Sequence, residues 1–189
     1  DIIDLKNRYQ KTSDKIKNCA SQFIQFYNRN NPAILKSFTM RCHNRFCPTC
    51  IYYESKKTFR LINAIVNDVR MKEYQYLFIT LTIKNCKKEE LSDTIDKLLK
   101  AYNKLITNKQ QQFAKRFDGI FRVLECTYNN NPHNKKWYQT YHPHLHLLVA
   151  VKSEYFHDVK KYLTLDKLIE VWQKALNVDY RPSVKIKAC

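Results

Sequence analysis

Only one glycine, Gly119, occurs in the 189 residues of this chain. Glycine fills left-handed turns and lets backbone approach a phosphate closely. A chain with one glycine cannot build a Walker loop, a dinucleotide fingerprint or a kinase glycine loop, because each needs several such positions. Any phosphate handled here must be held by side chains or by a metal ion. Turns must rest on other residues, and asparagine is the obvious substitute.

The length suits one ordinary domain plus a small accessory unit. Lys and Arg number 34 against 17 Asp and Glu, a formal net charge of +17. An AT-rich coding bias explains why Lys outnumbers Arg 25 to 9. It does not explain basic over acidic. That imbalance points to a polyanionic partner, most simply nucleic acid. Hydrophobic residues make up 44% of the chain, enough for a core and against disorder. The longest apolar stretches, Tyr76–Ile83 and Leu145–Val151, are too short to span a membrane. No signal peptide opens the chain. Seven cysteines without a secretory signal point to a reducing, cytoplasmic setting, where cysteines more often bind metal than pair.

Two β-rich segments, Cys19–Tyr27 and Ile34–Cys42, flank Asn28-Arg29-Asn30-Asn31-Pro32 and predict a hairpin. Phe59, Ile62, Ile65, Val66 and Val69 have helical spacing within Ile51–Val69. Tyr74–Ile83 reads as a buried strand. Leu91, Ile95, Leu98, Leu99, Tyr102 and Ile106 form a helical stripe. Strands Ile120–Tyr128 and Tyr141–Val151 enclose a polar loop. Thr164 caps a helix striped by Leu165, Leu168, Ile169, Trp172 and Leu176. Val184, Ile186 and Ala188 alternate as a last strand. The expected class is α+β, a mostly antiparallel sheet with flanking helices. A zinc-binding hairpin and linking helix (residues 1–70) precede the main domain (71–189).

Cys42, Cys47 and Cys50 form a knuckle around Pro48-Thr49, and a C-x2-C pair is the usual half of a tetrahedral zinc site. Counting outward from the turn between Asn30 and Asn31 places Cys19 opposite Cys42. Cys19, Cys42, Cys47 and Cys50 are therefore expected to hold a structural Zn2+, with His43 the less favoured ligand. A redox Cys-Pro-Thr-Cys is the competing reading, but it leaves Cys19 and Cys42 unexplained. Arg41, Arg45, Lys56, Lys57 and Arg60 surround the knuckle and are expected to face DNA, or else to form an ordinary solvated surface. Cys86, Cys126 and Cys189 lack ligand spacing.

His142-Pro143-His144-Leu145-His146-Leu147-Leu148-Val149 carries the most chemistry. On a strand, His142, His144 and His146 share one face, and Leu145, Leu147 and Val149 share the other. Two such imidazoles can bind one divalent ion. Counting from the loop centre near Asn134-Lys135 places Glu125 opposite His144, an outward surface carboxylate being the less favoured alternative. A carboxylate with two imidazoles suits Mg2+ or Mn2+ as well as Zn2+. A metallo-β-lactamase pattern would continue with Asp-His after the second His, and Leu148-Val149 does not. His133 and His157 are expected at the surface.

His-hydrophobic-His followed by an apolar run resembles the HUH motif of single-strand endonucleases. Phe78-Ile79-Thr80-Leu81-Thr82 resembles the first motif of rolling-circle plasmid replication initiators, and His142–Leu148 the second. The Arg41–Cys50 knuckle resembles their cysteine motif, and Trp172–Tyr180 also looks like that family. The resemblance covers nearly the whole chain. It implies a protein that binds the double-strand origin of its plasmid and nicks one strand with a tyrosine. A 5′-phosphotyrosine and a 3′-OH primer would result. Glu125, His144 and His146 would hold the catalytic Mg2+ or Mn2+, with His142 a further ligand or an orienting neighbour. Implied partners are origin DNA, single- and double-stranded, and host helicase and replication proteins, with no membrane.

In that family the nucleophilic tyrosine lies on a helix beyond the last strand, and this chain stops at Cys189 and opens without Met. The nucleophile is therefore expected past Cys189, and the 189-residue chain is expected to bind metal and origin DNA but to nick poorly. Lys161-Tyr162 resembles the nucleophile motif but follows His146 too closely. Alternatives are a related HUH transposase or relaxase, or a non-catalytic zinc-dependent DNA-binding module.

Overall fold

In a computed structural model the chain forms two compact units, Asp1–Met71 and Lys72–Cys189. The structure describes all residues except 1, 45, 69, 70 and 109–112, and for 2–5 and 32–34 it describes backbone alone. Arg45 and Val69, both singled out above, lie outside the described residues.

The first unit runs α1 (Ile2–Lys17), β1 (Phe23–Asn28), β2 (Asn31–Thr39) and α2 (Pro48–Val66). Helix α1 was not expected from the sequence, because its mean hydropathy is low and its apolar stripe is thin. It shows local support instead, such as Gln10 Nε2 donating to Asp14 Oδ1 at 3.1 Å one turn away. Helix α2 begins at Pro48, earlier than the Ile51 start expected. Proline is well placed there, since the first turn has no carbonyl for its missing N–H.

The hairpin register corrects the sequence count. Symmetric counting puts Tyr27 opposite Ile34, but the ladder pairs Tyr27 with Leu35 and Phe23 with Thr39. Asn28 pairs with Asn31, so a bulge separates the turn from the rest of the ladder. The turn closes locally, Asn30 N donating to Asn28 Oδ1 at 2.8 Å. Its centre is therefore not the ladder's centre. The strands are also shorter than expected, which leaves Cys19 and Cys42 just beyond their open ends.

The second unit runs β3 (Tyr74–Thr82), α3 (Leu91–Thr107), β4 (Gly119–Asn129), β5 (Thr140–Lys152), α4 (Leu165–Leu176) and β6 (Val184–Ala188). Short 3-10 turns at Ala114–Arg116 and Ser153–Phe156 were not anticipated. The sheet has the order β4-β5-β3-β6, and every neighbouring pair is antiparallel. Leu77, Ile79, Leu81, Leu145, Leu147, Val149 and Val151 lie on one face and are buried with α3 and α4 residues such as Leu98, Leu105, Leu168 and Trp172. The α+β class with an antiparallel sheet is thus the observed one. Trp172 anchors α4 to the sheet, its Nε1 donating to the Thr82 carbonyl at 2.8 Å. Thr164 caps α4, its side chain accepting from Lys167 N.

The shortage of glycine shows in the backbone. Ala20, His43, Gln139 and Asn177 hold left-handed φ values of 57°, 53°, 57° and 53°. Asn177 ends α4, a position where asparagine is a usual substitute for glycine. Gly119 does not have a positive φ, and a Cβ there would meet only Ala150 Cβ at 3.7 Å.

Candidate metal centre on the sheet face

The face of the sheet opposite α3 and α4 carries the even-numbered residues of β3 and β5. Side chains directly opposite on antiparallel strands share a face. Thr82, His144 and Glu125 therefore form one row, and Thr80, His146 and Val123 the next. Phe78, Leu148 and Phe121 form a third. One ligand atom each from Glu125, His144 and His146 lies within 4.8 Å of the others.

The hydrogen bonds explain why these atoms converge. His144 Nδ1 lies 3.0 Å from the His142 carbonyl oxygen. A carbonyl can only accept, so Nδ1 carries the proton and a neutral His144 presents its Nε2 lone pair. His146 Nδ1 lies 3.2 Å from Thr80 Oγ1, which can accept from it in the same sense. The two Nε2 atoms are 3.1 Å apart. Glu125 Oε2 lies 3.0 Å from His146 Nε2 and 3.7 Å from His144 Nε2. Two imidazole lone pairs and a carboxylate oxygen facing one point repel unless a proton or cation sits between them. The set thus fits a divalent ion bound through nitrogen and oxygen. Phe78 stacks on His146 with ring centroids 5.0 Å apart and fixes its plane.

His142 stands outside the 4.8 Å set, and it contributes the carbonyl that orients His144. Burial, and then the neighbouring His144, hold the His142 imidazole below its ordinary pKa. Tyr162 packs against Tyr155 in a tilted pair, ring centroids 5.6 Å apart, beyond the far end of β5. His146 precedes that end, Lys152, by six residues, about 20 Å along a strand. His133 and His157 are exposed.

In the first unit, Cys19, Cys42, Cys47 and Cys50 gather their sulfurs within 4.8 Å of one another. Cys50 Sγ lies 3.6 Å from Cys19 Sγ and 3.7 Å from Cys42 Sγ. Four thiolates about 2.3 Å from a zinc ion would have edges of about 3.8 Å, so the spacing fits that metal. The Cys50 amide and the three neighbouring sulfurs outweigh burial and bring the Cys47 thiol down to about 7. The Cys42 amide favours the Cys19 thiolate, yet burial and the neighbouring sulfurs push that thiol up to about 12. The Asn44 amide favours the Cys42 thiolate most strongly, yet burial together with the Cys47 and Cys50 sulfurs leaves that thiol raised. Thiolates are the zinc ligands, so a dication binding here would release protons. His43 is outside the set and takes a left-handed backbone directly after Cys42.

Lys56, Lys57 and Arg60 are exposed on α2 and share a face at helical spacing. The Lys56 ammonium lies over the Tyr52 ring at 5.0 Å. The Arg41 guanidinium is engaged, 4.9 Å over the Tyr53 ring and 3.9 Å from the Glu54 carboxylate. Cys86 is buried and bridges Tyr141 through backbone hydrogen bonds, whereas Cys126 and Cys189 are exposed.

Sequence reasoning missed Thr80 as a partner of His146. Its only signal was the alternation of Thr80 and Thr82 with apolar residues. No short loop joins β3 to β5, so their register could not be counted. Removing the Thr80 hydroxyl with the near-isosteric Thr80→Val is expected to weaken divalent-metal affinity about 10- to 100-fold. Mn2+ titration of the purified chain checks this, and unchanged affinity would remove Thr80 from the site.

Comparison with known sequences identifies the family. A family model described as replication protein matches residues 35–189, which include the Glu125–His144–His146 set and Cys42, Cys47 and Cys50. A protein named Protein rep from Lactiplantibacillus plantarum is 37% identical over 153 residues, 79% of this chain and 46% of that protein. Proteins of the same name from Streptococcus pneumoniae and a Bacillus species are 30% and 31% identical, over 93% and 95% of this chain and 53% and 55% of theirs. The chain thus spans about half the length of the curated relatives it matches. No solved structure matches it. Among the described residues, no helix is long and apolar enough to cross a membrane. A match over so much of the chain means that this chain belongs to the replication protein family.

Proposed function

We propose that this chain contains the origin-binding and nicking region of a plasmid rolling-circle replication initiator. The observation that carries this reading is the convergence of Glu125, His144 and His146 on the sheet face of a replication protein. Bound there, Mg2+ or Mn2+ would polarise the scissile phosphate as a Lewis acid. The chain's own residues supply geometry. The His142 carbonyl and Thr80 hydroxyl set the imidazole tautomers, Phe78 restrains His146, and the rigid ladder fixes Glu125 beside them. The reaction is a transesterification in which a tyrosine Oη–P bond forms as the P–O3′ bond breaks. It yields a 5′-phosphotyrosine and a 3′-OH able to prime synthesis.

Zn2+ on Cys19, Cys42, Cys47 and Cys50 would be structural, since four thiolates leave no open position. Lys56, Lys57 and Arg60 would grip the phosphate backbone without reading sequence. Origin DNA in single- and double-stranded form is the proposed substrate. Host helicase and replication proteins are the proposed partners. The test is nicking of supercoiled plasmid bearing the cognate origin, with Mn2+ or Mg2+, by this chain and by one extended past Cys189. Metal-dependent nicking that leaves protein on the 5′ end is expected of the extended chain. Metal-independent nicking, or none by either chain, would overturn the reading.

A further inference from the structure

We propose that a cavity beside the Glu125–His144–His146 cluster is a pocket for one unpaired base of single-stranded DNA, and that it favours bases bearing an exocyclic amino group. The proposal rests on reading that cluster as the nicking site. The cavity measures about 330 Å³ and is bounded on the cluster side by Thr82 and His142. Thr82 lies opposite His144 in the β3–β5 ladder, and the His142 ring centroid is 5.2 Å from that of His144. The cavity thus begins where the cluster ends, within reach of a nucleotide next to a phosphate held there.

The walls have the chemistry of a base site. Trp137, from the loop between β4 and β5, is half-buried and lines the cavity with an indole. Such rings stack on any base. Tyr180 forms another wall and is fixed, its hydroxyl accepting from Lys84 N at 3.0 Å. Lys84 and Arg181 add cations, the latter paired with Asp166 Oδ1 at 2.6 Å, and no acidic residue is among the described residues that line the cavity.

Selectivity follows from how two lining amides are held. The Thr140 hydroxyl donates to the Trp137 carbonyl at 2.6 Å. Its oxygen is then left only to accept, and Asn85 Nδ2 donates to it at 2.9 Å. Asn129 Nδ2 lies 3.5 Å from the same oxygen and donates to the Thr140 carbonyl at 3.3 Å. Both N–H groups of Asn129 are thus directed at Thr140, whereas Asn85 spends one there and keeps the other. What Asn129 retains for a ligand is acceptor oxygen, suited to the amino groups of adenine or cytosine. Thymine has no exocyclic amino group to offer.

The experiment uses the whole chain and twelve-nucleotide oligomers of deoxyadenylate, deoxycytidylate and thymidylate, with Trp137 fluorescence as readout. The other tryptophan, Trp172, is fully buried and hydrogen-bonded, so quenching reports the pocket. Adenine and cytosine oligomers are expected to quench Trp137 and to bind more tightly than the thymine oligomer. Trp137→Ala should weaken their binding about 5- to 150-fold, while Trp137→Phe, which keeps a stacking face, should largely retain it. Asn129→Ala should erase the preference over thymine. Equal binding of all three oligomers by the native chain, or unchanged binding by Trp137→Ala, would overturn the proposal. Mn2+ binding measured without DNA tests the cluster separately. A chain that binds Mn2+ but shows no base preference sinks the pocket alone. Base-selective quenching without Mn2+ binding supports the pocket and sinks the nicking reading.

Discussion

The double replacement His144→Ala and His146→Ala is expected to abolish tight Mn2+ binding to the sheet while leaving the fold intact. The two imidazoles supply two of the three ligand atoms, and Glu125, half-exposed, would hold a divalent ion weakly alone. The core should not notice the change. Leu145 and Leu147, which alternate with the histidines, are fully buried on the opposite face and remain in place. Thermal unfolding of the second unit should therefore shift by no more than a few degrees. Nicking by the origin-competent protein should fall about 1,000-fold or more, the loss of several kcal/mol of charge stabilisation. A non-catalytic zinc-dependent module makes the opposite forecast, that both changes leave every activity unaltered. Unchanged Mn2+ affinity in the double variant, with a normal melting curve, would decide for that module.

How far the sequence revealed this site depends on which contacts are local. The alternation from His142 to Val149 is a period-two pattern, and it survives folding because one face must be buried. Glu125 opposite His144 could be counted because a single loop joins the two strands. The same count was off by one in the β1–β2 hairpin, where an Asn28–Asn30 turn closes on itself and a bulge absorbs the remainder. The cysteines still converge there because they lie beyond the strand ends, where the ladder register no longer dictates position. Thr80 beside His146, and Trp137 near Asn85, depend on segments distant in sequence that no turn brings into register. Helix α1 was hidden for another reason: its polar composition gives periodicity little to act on.

Removing zinc is expected to unfold the first unit and spare the second. Among the described side chains of residues 1–71, only Cys47 and Cys50 are buried. Phe23, Ile24, Phe26, Tyr27, Leu35 and Phe38 of the hairpin are each more than half exposed. A lone two-stranded hairpin is marginal in water, and among the described side chains no apolar core holds it to α2. On the proposed zinc reading the four thiolates would do that instead: Cys19 and Cys42 flank the hairpin, and Cys47 and Cys50 sit at the start of α2. Ala20 and His43, each directly after a cysteine, hold left-handed φ values that cost about 1–2 kcal/mol apiece outside glycine. A structural zinc site contributes about 10–16 kcal/mol, enough to offset that strain and the ordering entropy. Chelation, or Cys47→Ser with Cys50→Ser, should therefore expose residues 1–71 to protease within minutes. Trp172 fluorescence and the melting of the second unit should persist. Ala20→Gly, which relieves one strained turn, should raise zinc affinity and delay that cleavage. Full protection of residues 1–71 in excess chelator would show that something other than the four thiolates holds the unit together.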